Sequence, residues 1–126
     1  MIAFVYTRIV SGHRVIPLSE RHPSQEHRCK EFLRRHHIKH LRTYSDYGQM
    51  HPIHLPHNFR RMLDALRHEG GVKFIIADHP QRLGNEQDIQ DAIIKKINEA
   101  GAEFIWPKPT KSYSSFTANF IKELEN

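Results

Sequence analysis

Guanidinium and hydroxyl groups gathered at the ends of apolar runs are the chemistry this sequence offers most plainly. Arg8, Ser11 and Arg14 follow the run Ile2-Ala3-Phe4-Val5-Tyr6, Asp46 follows Ile38 to Tyr44, Asp78, His79 and Arg82 follow Val72 to Ala77, and Lys108 follows Glu103-Phe104-Ile105-Trp106. An arginine fork matches two phosphate oxygens at once, so arginines and a serine in these places suit a phosphate. In an open parallel sheet the ligand crevice lies beyond the carboxyl ends of the strands, which is where such loops meet.

Charge points the same way. Residues 1–70 hold 12 Lys and Arg against 6 acids, net +6, whereas residues 71–126 hold 7 against 8, net −1. Ten of the 11 histidines also fall in the first part, so mild acidification adds charge to the same half. Arg28, Lys30, Arg34 and Arg35 on one predicted helix, and Arg60, Arg61 and Arg67 on the next, are candidate contacts to the phosphates of a duplex. The balance points toward an anionic partner, a nucleic acid such as DNA or another phosphate, with a solvated basic surface as the equal alternative.

Histidine offers a second chemistry. His51, His54 and His57 recur every third residue, and His36, His37 and His40 form another group; imidazole is a common zinc ligand. A tetrahedral site needs a rigid scaffold, and Pro52 and Pro56 leave the geometry of this loop unset. Solvated loop histidines are the expectation, and neither a metal nor a cofactor is assigned.

The elements that must position these groups alternate in type. After the first strand, helical spacing runs from Ser24, read as an N-cap, through Cys29, Phe32 and Leu33 to His36. Ile38 to Tyr44 reads as a strand, and Asp46 to Pro56 as a loop. Phe59, Met62, Leu63 and Leu66 fall at i, i+3, i+4 and i+7 before Gly70 and Gly71, the clearest amphipathic helix of the chain. Val72 to Ala77 is a third strand. Asn85, read as an N-cap, opens a helix with Glu86 and Asp88 in its first turn and Ile89, Ala92, Ile93 and Ile97 buried; Glu103 to Trp106 is the fourth strand. Phe116, Phe120, Ile121 and Leu124 share one face of a terminal helix, which covers either this sheet or a partner subunit; the sequence does not decide between the two, so a homodimer is one of two open readings. Strand–helix units of this length predict an α/β fold, a single domain over residues 1–126 with a mostly parallel sheet flanked by helices.

Composition excludes several classes. A chain of 126 residues and 14.9 kDa, with 38% hydrophobic residues, has room for one ordinary core and is not disordered. No apolar stretch approaches the roughly 18 to 20 residues of a membrane helix, and the start is not a signal peptide, so no membrane association and a cytoplasmic location are expected. Cys29, the one cysteine, falls on an apolar helix face and reads as core.

A family likeness emerges from three motifs. Tyr6-Thr7-Arg8-Ile9-Val10-Ser11 resembles the Tyr-Ala-Arg-Val-Ser opening of the resolvase and invertase family, the serine recombinases. Val72 to Ala77 followed by Gln81-Arg82-Leu83-Gly84-Asn85, and a helix leading into Glu99-Ala100-Gly101-Ala102-Glu103-Phe104-Ile105, are similar to that family's strand, Asp-Arg-Leu-Gly-Arg loop and Gly-Val-Glu-Phe strand. Ser45-Asp46-Tyr47-Gly48 is similar to its acidic, glycine-containing loop. The order of elements agrees over nearly the whole chain.

In that family a serine hydroxyl attacks a DNA phosphodiester to give a phosphoserine link, and arginines stabilise the charge that develops on the phosphate. The resemblance carries this onto Ser11, Arg8 and Arg82 as catalytic residues, and onto Arg8, Arg14, Arg60, Arg61 and Arg82 as DNA or phosphate contacts. The pattern is broken in places. With Arg8 in register, Val10 takes the serine position and Ser11 lies one residue late; Gln81 and Asn85 replace an acid and an arginine; and Pro56, His57 and Asn58 stand where a further arginine is anticipated. The resemblance therefore implies a resolvase-like domain with a degraded active site, leaning away from an enzyme. It would act as a DNA-associated or oligomerising module without a C-terminal helix-turn-helix domain in these 126 residues. The alternatives are an active recombinase using Ser11 and a phosphate- or metal-binding α/β protein.

Overall fold

The run at the start of the chain needs apolar cover on both faces, and it receives it as the second of four strands. The structure is a computed structural model and describes residues 1–10 and 15–108. Strand β1 (Ile2–Ile9) lies between β2 (Lys39–Tyr47) and β3 (Val72–Ile76), with β4 (Glu103–Ile105) outside β3, and every pairing is parallel. Ala3 and Val5 pack with Phe74, Ile76 and Ile105 against Cys29, Phe32 and Leu33 of helix α1 (His22–Arg35). Phe4 and Tyr6 face the other way, toward α2 (His57–Glu69) and α3 (Gln87–Glu99), where Phe59, Met62, Leu63, Leu66, Ile93 and Ile97 complete the second core. The α/β architecture with a parallel sheet flanked by helices is the one expected from the sequence, and Cys29 is buried with its thiol pushed up by that burial.

Element ends differ from the sequence reading in ways that matter for the site. Strand β1 does not stop at Tyr6 but runs to Ile9, and β2 runs past Tyr44 to Tyr47, so Arg8 and Asp46 are opposed residues in a parallel ladder and not loop residues. Helix α1 begins at His22 with Pro23 in its first turn; Ser24 is not the N-cap, and its hydroxyl donates to the Leu18 carbonyl at 2.6 Å. Helix α3 has Glu86, not Asn85, at its N-cap. Gly84 precedes it at φ +137, where a Cβ would come within 2.5 Å of the Ile89 side chain, so this approach of loop to helix requires glycine. The predicted terminal helix carrying Phe116 to Leu124 lies outside the described residues.

Candidate phosphate-binding site at the carboxyl end of the sheet

Arg8 sits at the carboxyl end of β1, 3% exposed. Its backbone N–H donates to Oε1 of Gln25 at 3.0 Å, and Nε2 of Gln25 donates back to the Arg8 carbonyl at 3.1 Å, which ties the strand end to α1. The guanidinium is directed at main chain: Nε donates to the Arg82 carbonyl at 2.8 Å, Nη2 to that of Gln81 at 2.8 Å, and Nη1 to that of Gly48 at 2.7 Å. A planar fork of five donors suits three carbonyls arriving from two chain segments. Burial pushes the guanidinium below the ordinary arginine value, and the Arg82 charge adds to that.

Asp46, paired with Arg8 across the ladder, turns its carboxylate toward α2. It accepts from the Tyr6 hydroxyl at 2.9 Å and from the backbone N–H groups of Asn58 and Phe59, each at 2.9 Å. Helix α2 needs this, because its N-cap is Pro56, which has no side-chain acceptor. A carboxylate 12 residues upstream in sequence therefore caps the helix, and the dipole at the helix start favours its negative charge. Burial, and then the Asp46 charge, pushes the Tyr6 phenol far above its ordinary range.

Arg82 lies in the 3-10 turn Pro80–Leu83 that follows β3. Its Nε donates to Oδ1 of Asp78 at 2.7 Å, and Asp78, 4% exposed at its side chain, is also paired with Arg28 of α1 at 2.6 Å. Beside this turn lies a cavity of about 170 Å³ whose wall includes Arg8, Val10, Glu20, Gln81, Arg82 and Asn85. The cavity is polar, open at the carboxyl edge of β1, and large enough for a phosphate group. A larger apolar cavity, about 600 Å³, lies between α3 and β4, and none of the strand-end arginines lines it.

On the α1 side of β1 a hydroxyl chain reaches a histidine. Thr7 Oγ1 is 2.6 Å from Ser45 Oγ and 2.7 Å from Nδ1 of His22. Nε2 of His22 is buried without a hydrogen-bond partner among the described residues, and Tyr47 packs edge-to-face on the ring at 4.8 Å. Burial, then the Arg82 charge, keeps this imidazole below its ordinary pKa.

The structure brings together Arg8 and Arg82 of the predicted site residues. Arg60 and Arg61 are exposed on the first turns of α2, and Arg61 donates to Asn58 Oδ1 at 3.2 Å. Ser11 and Arg14 lie outside the described residues; the residue following Ile9 into the cavity wall is Val10. Much of the helix charge is engaged locally, with Lys30 on Glu26, Arg34 on Glu31 and Arg67 on Asp64. Among the described residues no group of three or more His, Cys, Asp and Glu is set to hold a metal. Sequence reasoning passed over Gln25. Its signal was in the spacing, since Gln25 is a polar residue four, seven and eight positions before Cys29, Phe32 and Leu33 and so stands on the apolar stripe they define.

Comparison with known proteins agrees with the fold. The family model "Resolvase, N terminal domain" matches residues 3–124. No curated protein sequence matches the chain. Among solved structures, the N-terminal catalytic domain of TP901-1 integrase superposes with a TM-score of 0.68 at 16% identity, covering 99% of this chain and 92% of that one. A resolvase family site-specific recombinase from Streptococcus pneumoniae gives 0.68 at 16% identity, covering 99% and 87%. The C-terminal catalytic domain of ISC1926 TnpA, an IS607-like serine recombinase, gives 0.67 at 13% identity, covering 98% and 78%. At these identities the likeness is one of fold. No helix among the described residues is long and apolar enough to cross a membrane.

Proposed function

The chain belongs to the resolvase N-terminal domain family, and from that premise we propose that it is a DNA-associated, self-assembling module of recombination that holds a strand phosphate without cutting the strand. The observation that carries the reading is the division of labour between the two arginines at the cavity. Arg8 spends its guanidinium on three backbone carbonyls and so builds the site, while Arg82 leaves its Nη1 hydrogens outside its pairing with Asp78 and lines the cavity. Arg14, Arg60 and Arg61 would add contacts to neighbouring phosphates, each strengthening a salt-sensitive attraction. Against cleavage stand Val10 at the serine position, Gln81 and Asn85 on the wall, and the Glu20 carboxylate, which repels a phosphate gaining charge.

A covalent trapping assay tests the absence of cleavage. Supercoiled and linear DNA incubated with the protein and then denatured should give no protein–DNA adduct, with the unmodified chain and Ser11→Ala indistinguishable. An adduct formed by the unmodified chain and lost in Ser11→Ala would instead establish a phosphoserine link through Ser11 and the active recombinase reading.

A further inference from the structure

Arg82 is an arginine with a backing. Nε and Nη2 of Arg28, reaching from the middle of α1, lie 3.2 and 2.6 Å from Oδ2 of Asp78, and the same Nη2 donates to the Ser19 carbonyl. On its other side Asp78 accepts from Nε of Arg82 at 2.7 Å and from Nη2 at 3.3 Å. The two arginines and one carboxylate form a bridge from α1 to the turn after β3. Side-chain exposure rises outward from 4% at Asp78 to 20% at Arg82 and 41% at Arg28.

We propose that Asp78 and Arg28 are positioning residues for the phosphate site: Arg28 fixes Asp78, and Asp78 fixes the Arg82 guanidinium so that its Nη1 edge faces the cavity. The inference rests on the reading of Arg82 as a phosphate contact. A carboxylate bound to an arginine can equally well be a stand-in for the ligand, occupying the place a phosphate would take. The placement argues otherwise, since Arg82 lines the cavity and Asp78 does not. Asp78 takes the Nε and Nη2 side of the fork and leaves the trio with a net positive charge. The arrangement also removes a cost of binding, because an arginine already held in one rotamer has less freedom to lose when a ligand arrives. Asp78 stays ionised for this role, since Arg82 and Arg28 outweigh its burial and hold its carboxyl below the ordinary carboxylate value.

Arg28→Ala is the decisive variant, because it leaves the buried Asp78–Arg82 pair in place and removes an arginine that is partly exposed. With a labelled random duplex at low salt, Arg28→Ala should bind about 3- to 10-fold more weakly, and Arg28→Ala/Arg82→Ala should bind no more weakly than Arg82→Ala alone. Additive losses would make Arg28 a phosphate contact in its own right and overturn the inference. Tighter binding by Asp78→Asn would make Asp78 a competitor and overturn it equally. If Arg82→Ala binds as the unmodified chain does, the phosphate reading of Arg82 fails separately. Positioning is then decided without ligand by the 15N-resolved Nε–H of Arg82, whose exchange with water should quicken several-fold in Arg28→Ala while that of Arg8 stays unchanged; an unmoved Arg82 signal overturns it.

Discussion

Arg8→Ala should lose roughly 3–5 kcal/mol of folding stability, since three partly buried carbonyls are left without their donor, each loss costing about 1–3 kcal/mol less whatever water recovers, and a side chain that is itself buried is removed from between two turns. The three acceptors, on Gly48, Gln81 and Arg82, belong to the turn after β2 and the turn after β3, and the guanidinium is their common point of attachment to β1. Measured against a total stability of about 5–15 kcal/mol, this is a large fraction, and thermal unfolding should fall on the order of 10–20 °C. Arg8→Lys should recover little, because an ammonium is a compact charge that cannot span three carbonyls from one position. A fall of only a few degrees in either variant would mean that the two turns hold their places without Arg8. Any loss of DNA-related activity on replacing Arg8 therefore has to be set beside the melting curve before the residue is credited with a chemical role.

Asp46→Ala should cost about 3–4 kcal/mol in urea denaturation, with the first turn of α2 the part that loosens. Its carboxylate is the acceptor for two helix N–H groups and for the Tyr6 hydroxyl, all at 2.9 Å, and the side chain is buried. Asp46→Asn should not restore stability fully, since its amide turns a donor toward donors. The coupling to Tyr6 gives the prediction a second edge. Tyr6→Phe should cost about 1 kcal/mol in the unmodified chain but much less in Asp46→Ala, where the phenol has already lost its acceptor. Additive losses would show that the Tyr6 hydroxyl finds another partner and that the cap acts on the helix alone.

These two residues also show what was legible in the sequence. Strand and helix identities followed from apolar spacing, because β1 and β3 are covered on both faces and α2 carries a clean stripe of Phe59, Met62, Leu63 and Leu66. The ends were less legible. The continuous apolar run stops at Tyr6, yet Thr7 and Arg8 continue the strand to Ile9 because side-chain partners distant in sequence satisfy them: Ser45 and His22 for Thr7, and three carbonyls for Arg8. Ser24 and Asn85 have the residue types of N-caps, but Pro23 and the requirement for Gly84 against Ile89 set the helix starts elsewhere. The arginines at strand ends were found by type and spacing. What spacing could not reveal was the direction in which each guanidinium is spent, since Arg8 turns inward to main chain and Arg82 leans on an acid whose own partner comes from α1.

That difference between the two arginines is the centre of the functional reading, and the salt dependence of duplex binding tests it most directly. Fluorescence anisotropy of a labelled random duplex, titrated at several salt concentrations, should show binding in the range of about 1–100 µM near physiological salt and a steep weakening as salt rises, from counterions released at the contacted phosphates. Arg82→Ala removes one of the two partners of the buried Asp78 and should lose some stability while keeping the fold, which circular dichroism checks; it should bind more weakly and show a log–log salt slope shallower by about 0.9, the signature of one lost phosphate contact. No binding at low salt, or an Arg82→Ala slope equal to that of the unmodified chain, would contradict the account and leave the resolvase likeness as one of fold.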